Sequence, residues 1–403
     1  MKQKILIFNH ASVVGGAGVA LLNIIDSLDR ELYEITVYCT SNQTQIAEML
    51  EGRGVEVIRA ISSPVCYMHY NGGECSALSL RYYKNLLRIH KDKARIRRVI
   101  EACKPDIVIV NSMTLYWIGA IAKQMGCKTI CFHRESYAKG LLGFRSWKLK
   151  KKLDRYFDRI AFISSFDMEK TKLKQAAGFV IPDCVQVDKY NVMSKSEART
   201  YHNLEQNTYY ALFLGGCSHL KGADVIMRAV DNCNVPNLKL LLLNGEKPQK
   251  AVTRGLKGII KKLFMLDDEA RLYKVYNAMK NPERIVFCKS SVEVPSWYAA
   301  CDLVVFPSTK AHQAMPIYEA GMAERLMIIS DFANTREFLQ NWKNGLTFPP
   351  FNSNALAEKI QWVYENAQGE KYQKMLEENK RLTLENHRFD NFQKQVRELI
   401  IYG

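Results

Sequence analysis

The chain of 403 residues is 47% hydrophobic and 24% charged, a balance that is typical of soluble globular proteins and excludes disordered and fibrous classes. Its longest apolar stretch, 107–122, is interrupted by Asn111 and Ser112 and is shorter than the roughly 20 residues that span a bilayer. The apolar run near the N-terminus is too short for a secretory signal. We therefore expect a cytoplasmic protein, and at about 100–200 residues per domain the length predicts two domains.

The cysteine pattern and the absent motifs argue against metal sites. Eleven cysteines lie singly and no C-x-x-C occurs, so neither a disulfide framework nor a zinc site is expected. Asp-x-Asp and His-Glu-x-x-His are absent, so a metal clamp for a nucleotide diphosphate is not evident. Gly-x-Ser-x-Gly is absent as well, which leaves no nucleophile motif of hydrolases. We predict neither a metal nor a cofactor.

The positive charge is concentrated in one fifth of the chain. The formal net charge is +16, and residues 81–160 hold 20 Lys and Arg against 6 Asp and Glu. A localised positive field attracts nucleic acid or an anionic membrane surface, the latter by about 1 kcal/mol per basic residue. One basic cluster is as consistent with a solvated helix face, but two in one domain favour an anionic surface partner. The side chains that we expect to face a membrane are Arg81, Lys84, Arg88, Lys150, Lys151 and Lys152.

A third basic segment, 254–264, places apolar and basic residues on opposite sides of a predicted helix. This pattern suits either an interfacial amphipathic helix or an ordinary surface helix packed on a core.

Short β-branched runs alternate with helical stretches in the first half of the chain, which predicts a parallel sheet covered on both faces. The predicted strands are Lys4–Phe8, Glu34–Cys39, Val55–Arg59, Ile107–Asn111, Lys128–Phe132 and Ile160–Ile163. Residues 191–208 are polar and lack periodicity, which indicates a linker. The alternation then restarts, with predicted strands at Tyr209–Leu214, Leu238–Leu243, Ile285–Cys288, Leu303–Phe306 and Met327–Ser330.

The sequence therefore predicts two doubly wound α/β domains, 1–190 and 209–385, that are joined by the linker. Ligands of open α/β folds bind at the carboxyl ends of the strands, so we expect the two domains to face each other across a central cleft.

In each domain a glycine-rich loop follows the first strand. Gly15, Gly16 and Gly18 lie between strand and helix, where glycine lets the backbone approach a phosphate, although tight packing explains such a turn as often. In the second domain the matching loop is 215–222, with Gly215 and Gly216 at its start. In that loop Lys221 is a candidate to neutralise a phosphate and Ser218 a candidate hydrogen-bond partner.

The loop after Leu303–Phe306 is a sharper signal because it opens a helix. Pro316 suits the first helical turn, whose backbone N–H groups are candidates to hold a pyrophosphate. Glu319 lies one turn further, where a carboxylate can accept two hydrogen bonds from a ribose diol or merely complement the helix dipole. In the first domain His133, Arg134 and Glu135 end the Lys128–Phe132 strand, and we expect this polar triplet to face the cleft.

These segments together resemble the GT-B-type glycosyltransferases, specifically the retaining family 4 group. The resemblance rests on the Gly-Gly-x-Gly turn, the Gly-x(5)-Lys-Gly loop and the proline-serine loop that leads to a helix with Glu-Ala-Gly. Two further segments resemble family motifs: 180–188, and 330–337 together with Asn344 and Gly345. The C-terminal segment 389–402 is similar to the family helix that returns to the first domain, and we expect that helix to span 386–403.

The chain departs from the family pattern at two positions. The first Glu of the family's donor motif corresponds to Ala311, and the usual Arg of its phosphate loop corresponds to Gly216. The second Glu is Glu319. Related members carry a His-Gln-Ala-x-Pro loop, which implies that His312 and Gln313 contact the donor sugar.

The resemblance implies retaining, metal-independent transfer of a sugar from a nucleotide-sugar, most simply a UDP-sugar. In this scheme Glu319 holds the ribose, and Gly215, Gly216, Ser218, Lys221 and the backbone of Pro316, Ile317 and Tyr318 receive the diphosphate. His133 positions the sugar, and the glycine turn at Gly15 with Arg134 and Glu135 contacts the acceptor. Family members with lipid-linked acceptors act at the inner membrane surface, so the expected acceptor is a growing cell-surface glycan such as a lipopolysaccharide or capsule precursor.

Three alternatives remain open at this stage. A sugar-nucleotide epimerase shares the two-domain shape but usually needs paired carboxylates, which the sequence does not reveal. A nucleic-acid binder would carry aromatic residues interleaved with a basic stripe, and only Tyr82, Tyr83 and Tyr156 are available, so no nucleic-acid partner is expected. A catalytically degenerate transferase subunit is motivated by Ala311 and Gly216.

Overall fold

The protein is described by a computed structural model that covers residues 2–10, 15–40, 44–71, 73, 79–140, 142–250, 268–289, 294–311 and 315–401. The chain divides into two compact units. The first comprises Met1–Cys184 together with Phe389–Gly403, and the second comprises Val185–Arg388.

The described part of the first unit forms a seven-stranded parallel sheet in the order β3-β2-β1-β4-β5-β6-β7. Its strands are β1 Gln3–Phe8, β2 Tyr33–Thr40, β3 Glu56–Ala60, β4 Ile107–Val110, β5 Lys128–His133, β6 Arg159–Phe162 and β7 Ala177–Val180. The helices that flank them are Gly16–Ser27, Thr44–Glu51, Leu80–Cys103, Tyr116–Gln124, Phe144–Tyr156, Ser165–Thr171 and the C-terminal Phe389–Ile401.

The described part of the second unit forms a six-stranded parallel sheet in the order β10-β9-β8-β11-β12-β13. Its strands are β8 Tyr209–Phe213, β9 Leu238–Leu243, β10 Ile285–Cys288, β11 Leu303–Phe306, β12 Leu326–Ser330 and β13 Leu346–Phe348. The helices are Lys195–Tyr201, Ala223–Asn232, Asp268–Asn277, Val294–Ala300, Pro316–Met322, Ser353–Glu365 and Glu370–Asn386.

Each sheet is buried on both faces, as continuous apolar strands predict. In β1, Ile5 and Ile7 pack into one hydrophobic cluster while Leu6 and Phe8 pack into another on the opposite face. The same alternation divides the residues of β8 between two clusters. Two parallel sheets with helices on both faces confirm the predicted fold class.

Residues 191–208 are not a linker but part of the second unit. They contain the helix Lys195–Tyr201, which begins with a capping box formed by Ser194 and Glu197. Arg199 on this helix is buried, and its Nη2 lies 2.7 Å from Oδ2 of Asp302. A helix that packs on a core usually shows apolar residues at helical spacing. Here a buried position is occupied by the charged Arg199, so the segment looks polar in the sequence.

Two further observations concern membrane contact. The basic segment 254–264 lies outside the described residues. Among the helices that the structure describes, none combines the length and the apolar character that crossing a bilayer requires.

Candidate active site

The second sheet reverses its strand order between β8 and β11, which lie side by side. In doubly wound sheets the loops that follow such a pair of strands diverge and leave a crevice in which ligands bind. The loop after β8 is the predicted phosphate loop 215–222, and the loop after β11 leads to Glu319. The topology therefore brings the two predicted donor loops together.

Glycine is required at two positions of the phosphate loop. Gly222 has φ +88°, and a Cβ atom there would lie 1.8 Å from the carbonyl oxygen of Pro307. Gly216 has φ +61°, and its Cβ would lie 2.8 Å from the carbonyl oxygen of Asn244. An arginine, which is usual in the family at this position, would be strained here in both respects. The departure at Gly216 thus has a steric cause.

Thr309 and His219, which the sequence did not single out, fix the phosphate loop. The Thr309 backbone N–H donates to the carbonyl of Leu220 at 2.9 Å, and its hydroxyl donates to the carbonyl of His219 at 2.9 Å. The His219 ring lies 2.7 Å from a carboxylate oxygen of Asp224 and 2.8 Å from the guanidinium of Arg271. The loop is therefore held in one conformation before any ligand binds.

Lys221 is half-buried at the end of this loop. Its ammonium group makes no hydrogen bond or ion pair with any described residue, and burial lowers its pKa. The nearby Ser218 is half-buried and its carbonyl accepts a bond from the Ala223 N–H at 3.1 Å. A partly desolvated cation without a counter-ion is the arrangement that an anionic ligand completes.

Glu319 is half-buried on the helix Pro316–Met322 and is held by two tyrosines. The hydroxyl of Tyr298 donates to its carboxylate at 2.7 Å, and the hydroxyl of Tyr190 also hydrogen-bonds it. Burial first, and then the neighbouring Glu319, raise the pKa of Tyr298 and of Tyr190. Both hydroxyls are therefore donors at neutral pH, and they orient the carboxylate.

The backbone around Pro316 offers less than the sequence predicts. Pro316 has no N–H, and the N–H of Tyr318 donates to the carbonyl of Met315 at 3.0 Å. Ile317 and Tyr318 are buried, and the Tyr318 ring stacks on His387 at 3.5 Å between centroids. The packing of Ile317 and Tyr318 fixes the helix that carries Glu319, and the binding of a diphosphate by the backbone here stays a prediction. His312 and Gln313, predicted to contact the sugar, lie outside the described residues.

In the first unit, the predicted glycine turn opens the helix Gly16–Ser27. Gly15 and Gly16 are exposed, whereas Gly18 is buried and its N–H donates to the carbonyl of Gly15 at 2.8 Å. A Cβ atom on Gly15 would meet no atom of a described residue within 4 Å, so packing against the described residues does not require this glycine.

Arg134 and Glu135 bond to other residues of the first unit, and the expectation that they contact an acceptor stays a prediction. Arg134 is half-buried, pairs with Asp183 and donates from Nε to Asn111 at 2.9 Å. Glu135 accepts from the hydroxyl of Ser112 and from the Met113 N–H, the latter at 3.0 Å. These bonds stabilise the carboxyl edge of the sheet and orient both side chains.

His133 is buried within the first unit, and the prediction that it positions the sugar stays a prediction. Its side chain is fully buried, and its ring packs against Tyr137 at 4.8 Å and Phe162 at 4.9 Å between centroids. Neither ring nitrogen has a hydrogen-bond partner in the described part of the chain, and burial lowers the pKa to about 3. Its position as the last residue of β5 directs the side chain into the aromatic core.

We expect acid to destabilise the protein through His133. Between its ordinary pKa of 6.5 and the folded value of about 3, the unfolded chain binds a proton that the folded chain does not. Stability therefore falls as pH falls, by about 1.4 kcal/mol between pH 7.5 and 5.5 from this group. His133→Phe should remove this loss, as measured by urea unfolding at both pH values. The exposed His90→Gln is the control, and an identical pH dependence of wild type and His133→Phe would contradict the assignment.

The predicted membrane-facing residues divide into two groups. Arg81, Lys84 and Arg88 are exposed on the helix Leu80–Cys103. Of the three predicted lysines on Phe144–Tyr156, only Lys151 is exposed. Lys150 is half-buried and donates to the Lys170 carbonyl at 2.5 Å, and Lys152 is half-buried and donates to the Tyr116 hydroxyl at 3.1 Å.

Comparison with known proteins agrees with this architecture. Residues 14–188 match the model of "Glycosyltransferase Family 4", and residues 194–383 match that of "Glycosyl transferases group 1". The chain belongs to the family 4 glycosyltransferases of the GT-B fold. The predicted family and enzyme class are thereby confirmed.

Individual proteins similar to this glycosyltransferase are distant. A UDP-N-acetylglucosamine–N-acetylmuramyl-(pentapeptide) pyrophosphoryl-undecaprenol N-acetylglucosamine transferase of Alkaliphilus oremlandii is 26% identical over 291 residues, which cover 70% of this chain and 66% of that relative. The fold is similar to that of Anabaena Alr3699/HepE in complex with UDP, with TM-score 0.72, 16% identity and 99% of each chain covered. A glycosyltransferase from Rickettsia africae matches with TM-score 0.73, 15% identity and 100% of each chain covered.

Proposed function

We propose that this glycosyltransferase moves a sugar from a UDP-sugar to a lipid-linked acceptor of a growing cell-surface glycan, with retention of configuration and without a metal. The proposal is carried by two side chains, Lys221 and Glu319, in the loops that follow the adjacent strands β8 and β11. One is a half-buried cation with no described partner, and the other is a carboxylate fixed by two tyrosines. A nucleoside diphosphate supplies what both lack, an anion for the lysine and a diol for the carboxylate.

The choice of UDP is supported by a structural neighbour. Anabaena Alr3699/HepE has been crystallised in complex with UDP and in complex with UDP-glucose. In this chain the ribose hydroxyls would donate to Glu319, and the diphosphate would lie against Lys221 and Ser218.

The proposed step is electrostatically assisted departure of UDP. The bond between the anomeric carbon and the β-phosphate oxygen breaks with its electron pair going to UDP, and the acceptor oxygen forms the new bond on the same face of the sugar. The proton of the acceptor hydroxyl passes to the departing β-phosphate oxygen. Negative charge grows on the diphosphate as it leaves, and Lys221 stabilises that charge. Because the phosphate loop is already fixed by Thr309 and His219, little reorganisation accompanies the reaction.

Metal independence is supported by the sequence, which has no Asp-x-Asp to hold a divalent cation beside the diphosphate. In the proposal the lysine and the hydroxyl groups supply the charge stabilisation instead. Transfer measured in excess EDTA tests this part of the proposal.

A lipid-linked acceptor is supported by the name of the Alkaliphilus relative, whose substrate carries pyrophosphoryl-undecaprenol. Enzymes that use such acceptors work at the membrane surface. We therefore place this chain on the inner face of the cell membrane as a peripheral protein.

A surface of the first unit has the composition that this location requires. Leu142, Phe144 and Trp147 are exposed by 94%, 60% and 51%. The Phe144 and Trp147 rings stack at 5.7 Å, and the ammonium of Lys151 lies 4.0 Å from the centroid of Trp147. We call these residues, with the exposed Lys148, the aromatic-basic face. Aromatic rings beside lysines are typical of interfacial membrane contacts.

We expect this face to bind vesicles that contain anionic lipid. Removing two lysine charges with Lys148→Gln and Lys151→Gln should weaken binding about 30-fold, at about 1 kcal/mol per charge. Phe144→Ala with Trp147→Ala should weaken it about tenfold or more through lost apolar burial. Vesicle co-sedimentation measures both.

The control for this experiment carries Lys343→Gln and Lys374→Gln, which remove two exposed lysines of the second unit. Binding should also weaken with added salt. Equal binding of wild-type protein to zwitterionic and anionic vesicles would contradict the membrane assignment.

The proposed reaction is tested by a screen of nucleotides and nucleotide-sugars. UDP and one UDP-sugar should raise the melting temperature, since a ligand at 100 times its Kd adds about 2.7 kcal/mol of stability. That sugar should then be transferred to a lipid-linked acceptor, with UDP released. Donor isomerised without acceptor would point to an epimerase, binding without transfer to a degenerate subunit, and no response to any nucleotide would overturn the proposal.

A further inference from the structure

The first unit contains a cavity of about 750 Å³ between residues 62–70, which follow β3, and the first turns of the helix Leu80–Cys103. Pockets of this volume hold small-molecule ligands in many proteins. Its lining includes three of the basic residues that are predicted from the sequence to face a membrane, Arg81, Lys84 and Arg88.

One wall of the cavity is preorganised by bonds to neighbouring helices. Arg95 donates to the carbonyls of Ser62 and Ser63 at 2.5 and 3.1 Å. The indole N–H of Trp117 donates to the carbonyl of Val65 at 2.8 Å, and the Val65 N–H donates to Asp92 at 3.0 Å. The segment is thus anchored on both sides, so a ligand would not have to order it.

The opposite wall is cationic. Arg81, Lys84 and Arg88 line the cavity at helical spacing, and the lining residues that the structure describes include no carboxylate. None of the three forms an ion pair with a residue that the structure describes. Like charges three and four residues apart destabilise a helix, and a cation in the first turn opposes the helix dipole. A bound anion would offset both costs.

Asn85 adds an unpartnered polar group to the same lining. The residue is only 8% exposed, and its Oδ1 atom has no hydrogen-bond partner among the residues that the structure describes. Buried amides are almost always hydrogen-bonded in folded proteins. A ligand in the cavity would supply the missing hydrogen bond. The amide can donate to a phosphate oxygen or accept from a hydroxyl, depending on its orientation.

The rest of the lining is apolar or aromatic and includes Pro64, Val65, Tyr67 and Met68. The cavity therefore has a cationic side and an apolar side. We propose that it binds a phosphate or diphosphate group carried on an apolar chain. On the proposed function, this ligand is the lipid-linked acceptor, and the cations form a specific site rather than a diffuse membrane contact.

The test is titration calorimetry of the full chain with geranyl diphosphate, a soluble probe that combines both features. We expect one site in the wild-type protein. Lys84→Gln and Arg88→Gln should each weaken binding about tenfold. Asn85→Leu should weaken it about fivefold while leaving the melting temperature unchanged or higher, because no side-chain hydrogen bond to a described residue is lost.

Two further titrations test whether the site needs both the diphosphate and the apolar chain of the probe. Inorganic diphosphate should bind at least tenfold more weakly than geranyl diphosphate, and geraniol should not bind measurably. Equal affinity for inorganic diphosphate would overturn the proposal in favour of a simple phosphate site. Unchanged affinity in Lys84→Gln, Arg88→Gln and Asn85→Leu would also overturn it.

Matched controls exclude general charge effects. Arg97→Gln and Arg98→Gln remove two cations from the same helix, outside the cavity lining, and should leave binding unchanged. Saturating UDP should not compete with geranyl diphosphate. A protein that binds geranyl diphosphate but not UDP would keep this inference and overturn the proposed donor, whereas one that binds UDP alone would do the reverse.

Discussion

Replacing Lys221 with methionine is expected to lower kcat/KM for the UDP-sugar about 100-fold or more. Methionine retains the unbranched stem of the half-buried side chain and removes only the charge. Loss of one group that stabilises a developing anion typically costs this much. Steady-state kinetics with the donor identified by the nucleotide screen provide the measurement.

The matched control for this variant is Lys239→Met. Lys239 belongs to the same unit, but its ammonium already pairs with Glu205 at 2.8 Å, so kcat/KM should stay within about twofold of wild type. Because burial lowers the pKa of Lys221, its charge and its contribution should be lost on alkalinisation before the ordinary lysine value of 10.5 is reached. Unchanged turnover in Lys221→Met would remove the electrostatic step from the proposal.

Glu319→Gln is expected to lower kcat/KM about 100-fold as well. The amide oxygen can still accept from Tyr298, so the side chain stays in place while the charge that binds the ribose diol is lost. Tyr298→Phe, which removes one of the two bonds that orient Glu319, should cost about tenfold or less. Kinetics and UDP affinity should be measured together.

Glu319 has an alternative role as a stabiliser of its own short helix. In that case Glu319→Gln would lower the melting temperature and leave the affinity for UDP unchanged, which would contradict ribose binding. Glu324→Gln is the control, because Glu324 follows the same helix and pairs with the exposed Lys380 at 2.6 Å.

The parallel sheets were predictable because their inner strands are continuous runs of β-branched and other apolar residues buried on both faces. The strands β7 Ala177–Val180 and β13 Leu346–Phe348 were not predicted. Both lie at the end of a sheet and are short, and the first contains Gly178, so neither carries a strong periodic signal.

The candidate site was predictable in part. Lys221 and Glu319 follow strands and lie in glycine- or proline-marked loops, which is a signal that the sequence displays. The two tyrosines that hydrogen-bond Glu319 carry no such signal. Tyr298 belongs to a different helix, and Tyr190 precedes the segment that was predicted as a linker. Only the fold brings such residues together.

His133 shows the limit of arguments from strand ends. A polar residue that ends a strand lies near the ligand-binding edge, but its side chain can point to either face of the sheet or into the core. Here the neighbours Tyr137 and Phe162 enclose it. The basic residues show a related limit, because a helix pattern does not reveal that Lys150 and Lys152 already bond to a carbonyl and a hydroxyl.

The most direct test of the central claim is a crystal structure of the protein with UDP. Diphosphate oxygens should lie within hydrogen-bonding distance of the Lys221 ammonium, about 2.7–3.2 Å, and both ribose hydroxyls should donate to Glu319. A nucleotide bound at another place in the chain, with neither side chain in contact with it, would contradict the account.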